Sequence, residues 1–116
     1  MQRHAFFGRL NPGHRDQYIE AHNNIPAELV AHYRKAGIQS MSIFLRDDLL
    51  FLYLECEDFD AAMALLDGDP VELKWQKLIN PMLNGGDFQK LEGVFQMAPS
   101  SSREQEWVWH RNVERG

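Results

Sequence analysis

The sequence predicts an α+β fold with the element order β-α-β-β-α-β, and three features point to it. A Phe-rich apolar segment, Arg3 to Leu10, stops at the breaker Asn11-Pro12-Gly13. Two further apolar segments, Ser40 to Leu45 and Leu49 to Cys56, flank the polar turn Arg46-Asp47-Asp48 and read as a hairpin. Helix-forming stretches separate the first strand from this hairpin, and the hairpin from a last strand over Lys90 to Met97. That order is the split βαβ, ferredoxin-like arrangement, a four-stranded sheet with its helices on a single face.

Asn11 suits a helix cap and Pro12 a first turn, so a helix is expected from Pro12 to Lys35. Pro26 inside it predicts a break near Asn24, with Asn24 capping the second piece and Glu28 in its early turns. Gly37 is the expected stop. The third strand, Leu49 to Cys56, does not alternate apolar with polar, so both of its faces should be covered. A second helical region opens at Asp58, a good N-cap. It is interrupted by Gly68-Asp69-Pro70, resumes over Val71 to Ile79 and ends at Asn80-Pro81.

Helices on one face leave the other face of the sheet bare, and the third strand says that this face is apolar. A second copy of the sheet packed against it, in a symmetric homodimer, is the economical cover. One domain is expected over residues 1–97, followed by a tail over 98–116 that carries Trp107 and Trp109. The tail either reaches across such an interface, where aromatic anchors are common, or folds back on its own subunit.

A chain of 116 residues holds one core. Its net charge of −5, with no basic stripe, argues against nucleic acid as a partner. No apolar run approaches the roughly 20 residues that span a bilayer, which argues against a membrane. Met1 to Phe7 lacks the apolar core of a signal peptide, and the single Cys56 permits no intrachain disulfide. A reducing, cytoplasmic setting is the expectation.

Several chemistries leave no trace. There is no GxxxxGK[ST] or GxGxxG loop for phosphates, no GxSxG elbow and no HExxH zinc motif. His14 and His22 lie two helical turns apart, about 12 Å by helix rise, too far to share a metal. Neither a metal nor a covalent nucleophile is therefore required. What remains is a constellation on the first helix: Tyr18 and His22 at i and i+4, with Ile25 and Leu29 continuing the same face. Such a histidine fits a hydrogen-bonded structural role as well as a catalytic one. The pair Trp75-Gln76 is equally ambiguous between core and ligand platform.

The residues Ala5-Phe6, Leu10-Asn11-Pro12, Tyr18, His22-Asn23 and Glu28-Leu29 resemble the L-rhamnose mutarotase family. So do Gly37, Ser42-Ile43 with Leu45, Leu49-Leu50-Phe51, Lys74-Trp75 with Lys77, and Val94-Phe95. The resemblance runs from Arg3 to Met97 and is most specific from Asn11 to Asn23. It implies a dimeric ferredoxin-like α/β barrel that interconverts the anomers of a 6-deoxy-L-hexose without a cofactor. It puts the proton-donating histidine on His22, a substrate-binding tyrosine on Tyr18, and the first of two paired tryptophans on Trp75. The second tryptophan is here Gln76, a sugar-contacting tyrosine is here Met41, and the family's Ile-Trp-Pro-Glu segment is here Ile25-Pro26-Ala27-Glu28. A retained histidine in an altered shell implies the same reaction on a different monosaccharide, L-fucose ahead of L-rhamnose. A hydrogen-bonding Gln in place of a stacking Trp could read a ring hydroxyl.

Mutarotation opens a hemiacetal ring and recloses it on the other face, so acid/base groups suffice. An imidazole, with an unperturbed pKa near 6.5, suits that task. His22 is the expected general acid and Tyr18 the group that orients the sugar or relays a proton. Trp75 would stack on the sugar and Gln76 would read a hydroxyl. The opposing base is not identified by the sequence; Glu28 is a candidate, and equally a helix-start charge. Two rivals share the architecture: a cofactor-free monooxygenase acting on an aromatic substrate, and a non-catalytic sugar-binding module.

Overall fold

Leucine, isoleucine and aromatic residues build a hairpin whose second strand lies inside the sheet, paired on both sides. The computed structural model describes residues 1–85 and 88–97. Its elements are β1 (Gln2–Arg9), α1 (Arg15–Asn23), α2 (Ala27–Lys35), β2 (Ile38–Arg46), β3 (Leu49–Cys56), α3 (Phe59–Leu66), α4 (Pro70–Ile79) and β4 (Gln89–Leu91). A 3-10 turn over Asn80–Met82 follows α4. The strands form one sheet in the spatial order β2-β3-β1-β4, each pair antiparallel. This is the ferredoxin-like order expected, with each crossover helix broken in two.

The register sorts the side chains into two faces. Phe6 pairs with Leu52, and Leu52 with Ile43, so all three point towards the helices. Phe7 pairs with Phe51, and Phe51 with Phe44, so these three point away. On the helix side, Leu50, Leu54 and Cys56 of β3 are buried. One core cluster gathers Leu10, Tyr18, Leu50, Ile79, Met82 and Leu83. A second gathers Ile38, Leu54, Cys56, Ala62 and Leu66, and Leu52 packs against both. Among the described residues the opposite face of β3 has no comparable cover: Phe51 and, beside it, Phe44 are exposed.

Several local predictions meet their structural reasons. β3 has the expected bounds. Asp58 caps α3, accepting from Ala61 N at 3.1 Å. Asp69 caps α4 with Pro70 in its first turn. Gly37 ends α2 at a φ of +101°, in the left-handed region that favours glycine.

Three expectations are corrected. Asn11 does not cap the first helix, which starts only at Arg15 after a turn at Gly13. Its side chain instead donates to Pro81 O (3.1 Å) and Leu83 O (3.3 Å), tying the end of β1 to the segment after α4. Asn24 does not cap α2, whose N-cap is Pro26. Its side chain reaches back to Glu20, closing α1. The last strand stops at Leu91, well short of Met97, because β4 pairs with β1 over Ala5 to Phe7 only. Val94 and Phe95, expected inside that strand, lie past its end and are exposed. The expectations for Trp107 and Trp109 fall outside the described residues.

Candidate active site

Helical spacing puts Tyr18 and His22 on the face of α1 that meets the sheet. Tyr18 is buried, and its ring lies 4.3 Å from the His22 ring, centroid to centroid. His22 Nδ1 is 2.8 Å from Tyr18 O. A carbonyl oxygen only accepts, so Nδ1 carries the hydrogen. That contact sets the tautomer and leaves Nε2 to exchange protons. Trp75 of α4 meets the imidazole edge-on, with centroids 5.1 Å apart and an interplanar angle of 84°. His22 is thus clamped between a helix in the first half of the chain and one in the second.

A cavity of about 730 Å³ opens between the helices and the inner face of the sheet. It is within the roughly 300–1,000 Å³ range of small-molecule sites. All five expected site residues line it: Tyr18, His22, Met41, Trp75 and Gln76. Met41 enters from β2 on the helix side of the sheet, opposite Leu54 in the register. Phe88 closes part of the wall, packed over Gly8 so closely that a Cβ there would come within 3.0 Å of its ring. A second hollow of about 570 Å³ shares Tyr18, His22, Tyr33 and Met41 with the first and extends towards β2. There its lining turns polar, with Arg15, Asn23, Arg34, Gln39 and Ser40. Among the described residues no three His, Cys, Asp or Glu side chains converge as a metal set requires.

Burial raises the Tyr18 pKa well above the ordinary range, so this phenol keeps its proton. A phenol in that state can donate a hydrogen bond to a ligand. Tyr33, also facing the cavity, is raised by burial first and by the Glu72 carboxylate second. Glu72 lines the same cavity, its Oε1 accepting from Gln76 Nε2 at 3.1 Å. Its backbone is seated by Asp69, which accepts from Val71 N and Glu72 N and also from His32 Nδ1 at 2.7 Å. Through that last contact α2 braces the start of α4.

Glu28 is exposed and lines neither hollow, so it takes no place in the site. Sequence reasoning missed Tyr33 and Glu72. The second had a signal: Glu72 stands three residues before Trp75 and four before Gln76, hence on the same helix face.

The family model described as L-rhamnose mutarotase matches residues 3–114. An L-rhamnose mutarotase of Sinorhizobium medicae is 44% identical over 77 residues, 65% of this chain and 73% of that protein. One of Oceanobacillus iheyensis is 33% identical over 85 residues, 72% of this chain and 81% of that protein. The crystal structure of an L-rhamnose mutarotase from Formosa agariphila superposes with a TM-score of 0.72 at 25% identity, covering 84% of this chain and 100% of that one. Tetracenomycin F2 cyclase from Streptomyces glaucescens has a TM-score of 0.58 at 15% identity, covering 85% of this chain and 99% of that one, which shows a shared fold alone. With a family match spanning nearly its whole length, this chain belongs to the L-rhamnose mutarotase family.

Proposed function

We propose that the chain is a mutarotase interconverting the α and β anomers of a 6-deoxy-L-hexose, with L-fucose its first substrate and L-rhamnose its second. The observation that carries this reading is His22. Its Nδ1 is committed to a backbone carbonyl and its ring is held between Tyr18 and Trp75 at the wall of a cavity of sugar-accommodating size. In the imidazolium form, which carries a hydrogen on both nitrogens, Nε2 gives its proton to the ring oxygen as the C1–O5 bond breaks. A base takes the proton of the anomeric hydroxyl, and C1 becomes a carbonyl. After rotation about C1–C2 the two transfers reverse, and the ring closes on the other face with both protein groups restored. No electron changes hands and no co-reactant is needed.

The Trp75 ring supplies an apolar plane for the sugar, and the Tyr18 hydroxyl a donor. The preference for L-fucose rests on Met41 and Gln76, the two cavity positions where the family pattern carries aromatics. Gln76 spends its amide N–H on Glu72, which leaves its carbonyl oxygen to accept from a ring hydroxyl. The relatives named above are L-rhamnose mutarotases, which keeps that sugar as second substrate. Two copies would pair through the outer face of the sheet, where Phe44 and Phe51 are exposed, with Val94 and Phe95 beyond its edge. With its one cysteine buried as a free thiol, the protein fits the reducing cytoplasm. The monooxygenase alternative is served by the fold alone.

Exchange NMR on the anomeric protons of L-fucose and L-rhamnose tests the reading. Exchange speeds up in the presence of the protein, more for L-fucose. His22→Asn removes that acceleration, a loss of about 10²–10⁴-fold for a general acid, while circular dichroism stays native. Native-rate exchange by His22→Asn would falsify the role of His22, and a faster rate on L-rhamnose would reverse the order of substrates.

A further inference from the structure

Ring opening needs two proton-transferring groups, and His22 is one. Among the described residues two carboxylates line the cavity that holds it, Asp67 and Glu72. Asp67 is exposed at the end of α3. Glu72 is half-buried on the cavity-facing side of α4, one turn before Trp75 and Gln76. Its two oxygens are in different situations. Oε1 accepts from Gln76 Nε2, which steadies the carboxylate. Oε2 is sealed from solvent and makes no hydrogen bond of standard geometry among the described residues, with the Tyr33 hydroxyl acting on the same carboxylate. An unpaired buried carboxylate oxygen costs free energy. A substrate hydroxyl that donates to it removes that cost on binding.

We infer that Glu72 is the second catalytic residue, the base that takes the anomeric hydroxyl proton through Oε2 while His22 protonates the ring oxygen. The assignment rests on the mutarotase reading above and completes its proton balance. On opening, the O1 proton passes to Glu72 and the His22 Nε2 proton to O5, as C1–O5 breaks and C1=O1 forms. On closure Glu72 returns its proton to O1, and His22 regains one from O5. The same geometry gives Gln76 a positioning role: its amide holds Oε1, so that Oε2, sealed from solvent without substrate, is the oxygen that a turn of the carboxylate brings to the anomeric hydroxyl. Tyr33 stays protonated beside this carboxylate and adds no second base.

The test compares the full chain with Glu72→Gln, Glu72→Asp, Asp67→Asn and Glu28→Gln by anomeric exchange NMR on L-fucose and L-rhamnose, with sugar affinity measured by saturation transfer. Glu72→Gln is nearly isosteric and is expected to lose at least tenfold in exchange rate while binding the sugar within threefold of the native affinity. Glu72→Asp is expected to recover part of the rate. Glu28→Gln, exposed and outside the cavity, exchanges at the native rate. Glu72 is excluded as the base by a loss under tenfold in Glu72→Gln, by an affinity loss that accounts for the rate loss, or by a larger loss in Asp67→Asn. A native chain that accelerates neither sugar overturns the mutarotase reading itself, and a native chain that does so leaves only the assignment of Glu72 at stake.

Discussion

Leu50 and Phe51 are neighbours on β3 and opposites in surroundings. Leu50 is 0% exposed, wedged beneath Tyr18 and Ile79, whereas Phe51 on the other face is 38% exposed. The same contrast runs across the sheet, with Leu54 and Cys56 inside and Phe44 outside. Both faces are apolar, yet the helices of one chain cover only one of them. The inner face is closed by the chain itself and carries the cavity. The outer face, in the proposed assembly, is closed by a second copy. On that proposal one sheet serves two kinds of packing, one intramolecular and one dependent on concentration.

The largest effect that separates the faces is in the core. Leu50→Ala should lower the stability of the chain by about 2–5 kcal/mol, read from the urea midpoint, while Phe51→Ala in dilute protein should cost far less. Equal costs for the two would break the contrast. Next comes assembly. A Phe44→Ser, Phe51→Ser double variant should sediment as one chain where the native protein sediments as two, with its circular dichroism unchanged. Two-chain sedimentation by the variant would place the interface elsewhere.

The smallest effect concerns the brace between α2 and α4. Burial alone would raise the Asp69 pKa, but hydrogen bonds from the Glu72 and Val71 backbones and from His32 outweigh it and hold it below its ordinary 3.8. A depressed carboxylate stabilises the fold above its unfolded value and loses that contribution as pH falls through the folded one. The native protein should therefore lose stability below pH 3.8, and Asp69→Asn should lack that portion of the acid loss and be less stable at neutral pH. Parallel urea midpoints from pH 6 to pH 2 would show that the brace is idle.

The parts of this molecule legible in the sequence are those whose causes are local. Asp58 and Asp69 cap helices through backbone amides two or three residues away, and Gly37 meets a left-handed turn at its own position. β3 shows itself by eight residues of near-continuous hydrophobicity. Tyr18 and His22 were legible as a pair because four residues of helix suffice to join them. Elements governed by remote partners were not. Asn11 looked like a cap because its actual acceptors, Pro81 O and Leu83 O, are 70 and 72 residues away. β4 looked long because Val94 and Phe95 are good strand residues, though pairing with β1 stops before them. Glu72 was not singled out in the sequence, and only the fold brings it to the cavity of His22.

The Asn11 tether has a kinetic consequence. It joins the first strand to the far end of the second crossover, and the site straddles that seam, with His22 on one side and Trp75 on the other. No partly folded chain containing only the first half has an assembled pocket. The contacts that form it span long stretches of sequence, the kind of closure that slows folding. Sugar turnover therefore reports the final docking of α4, and in a refolding experiment it should return later than the helical signal, after the two ends of the chain have met.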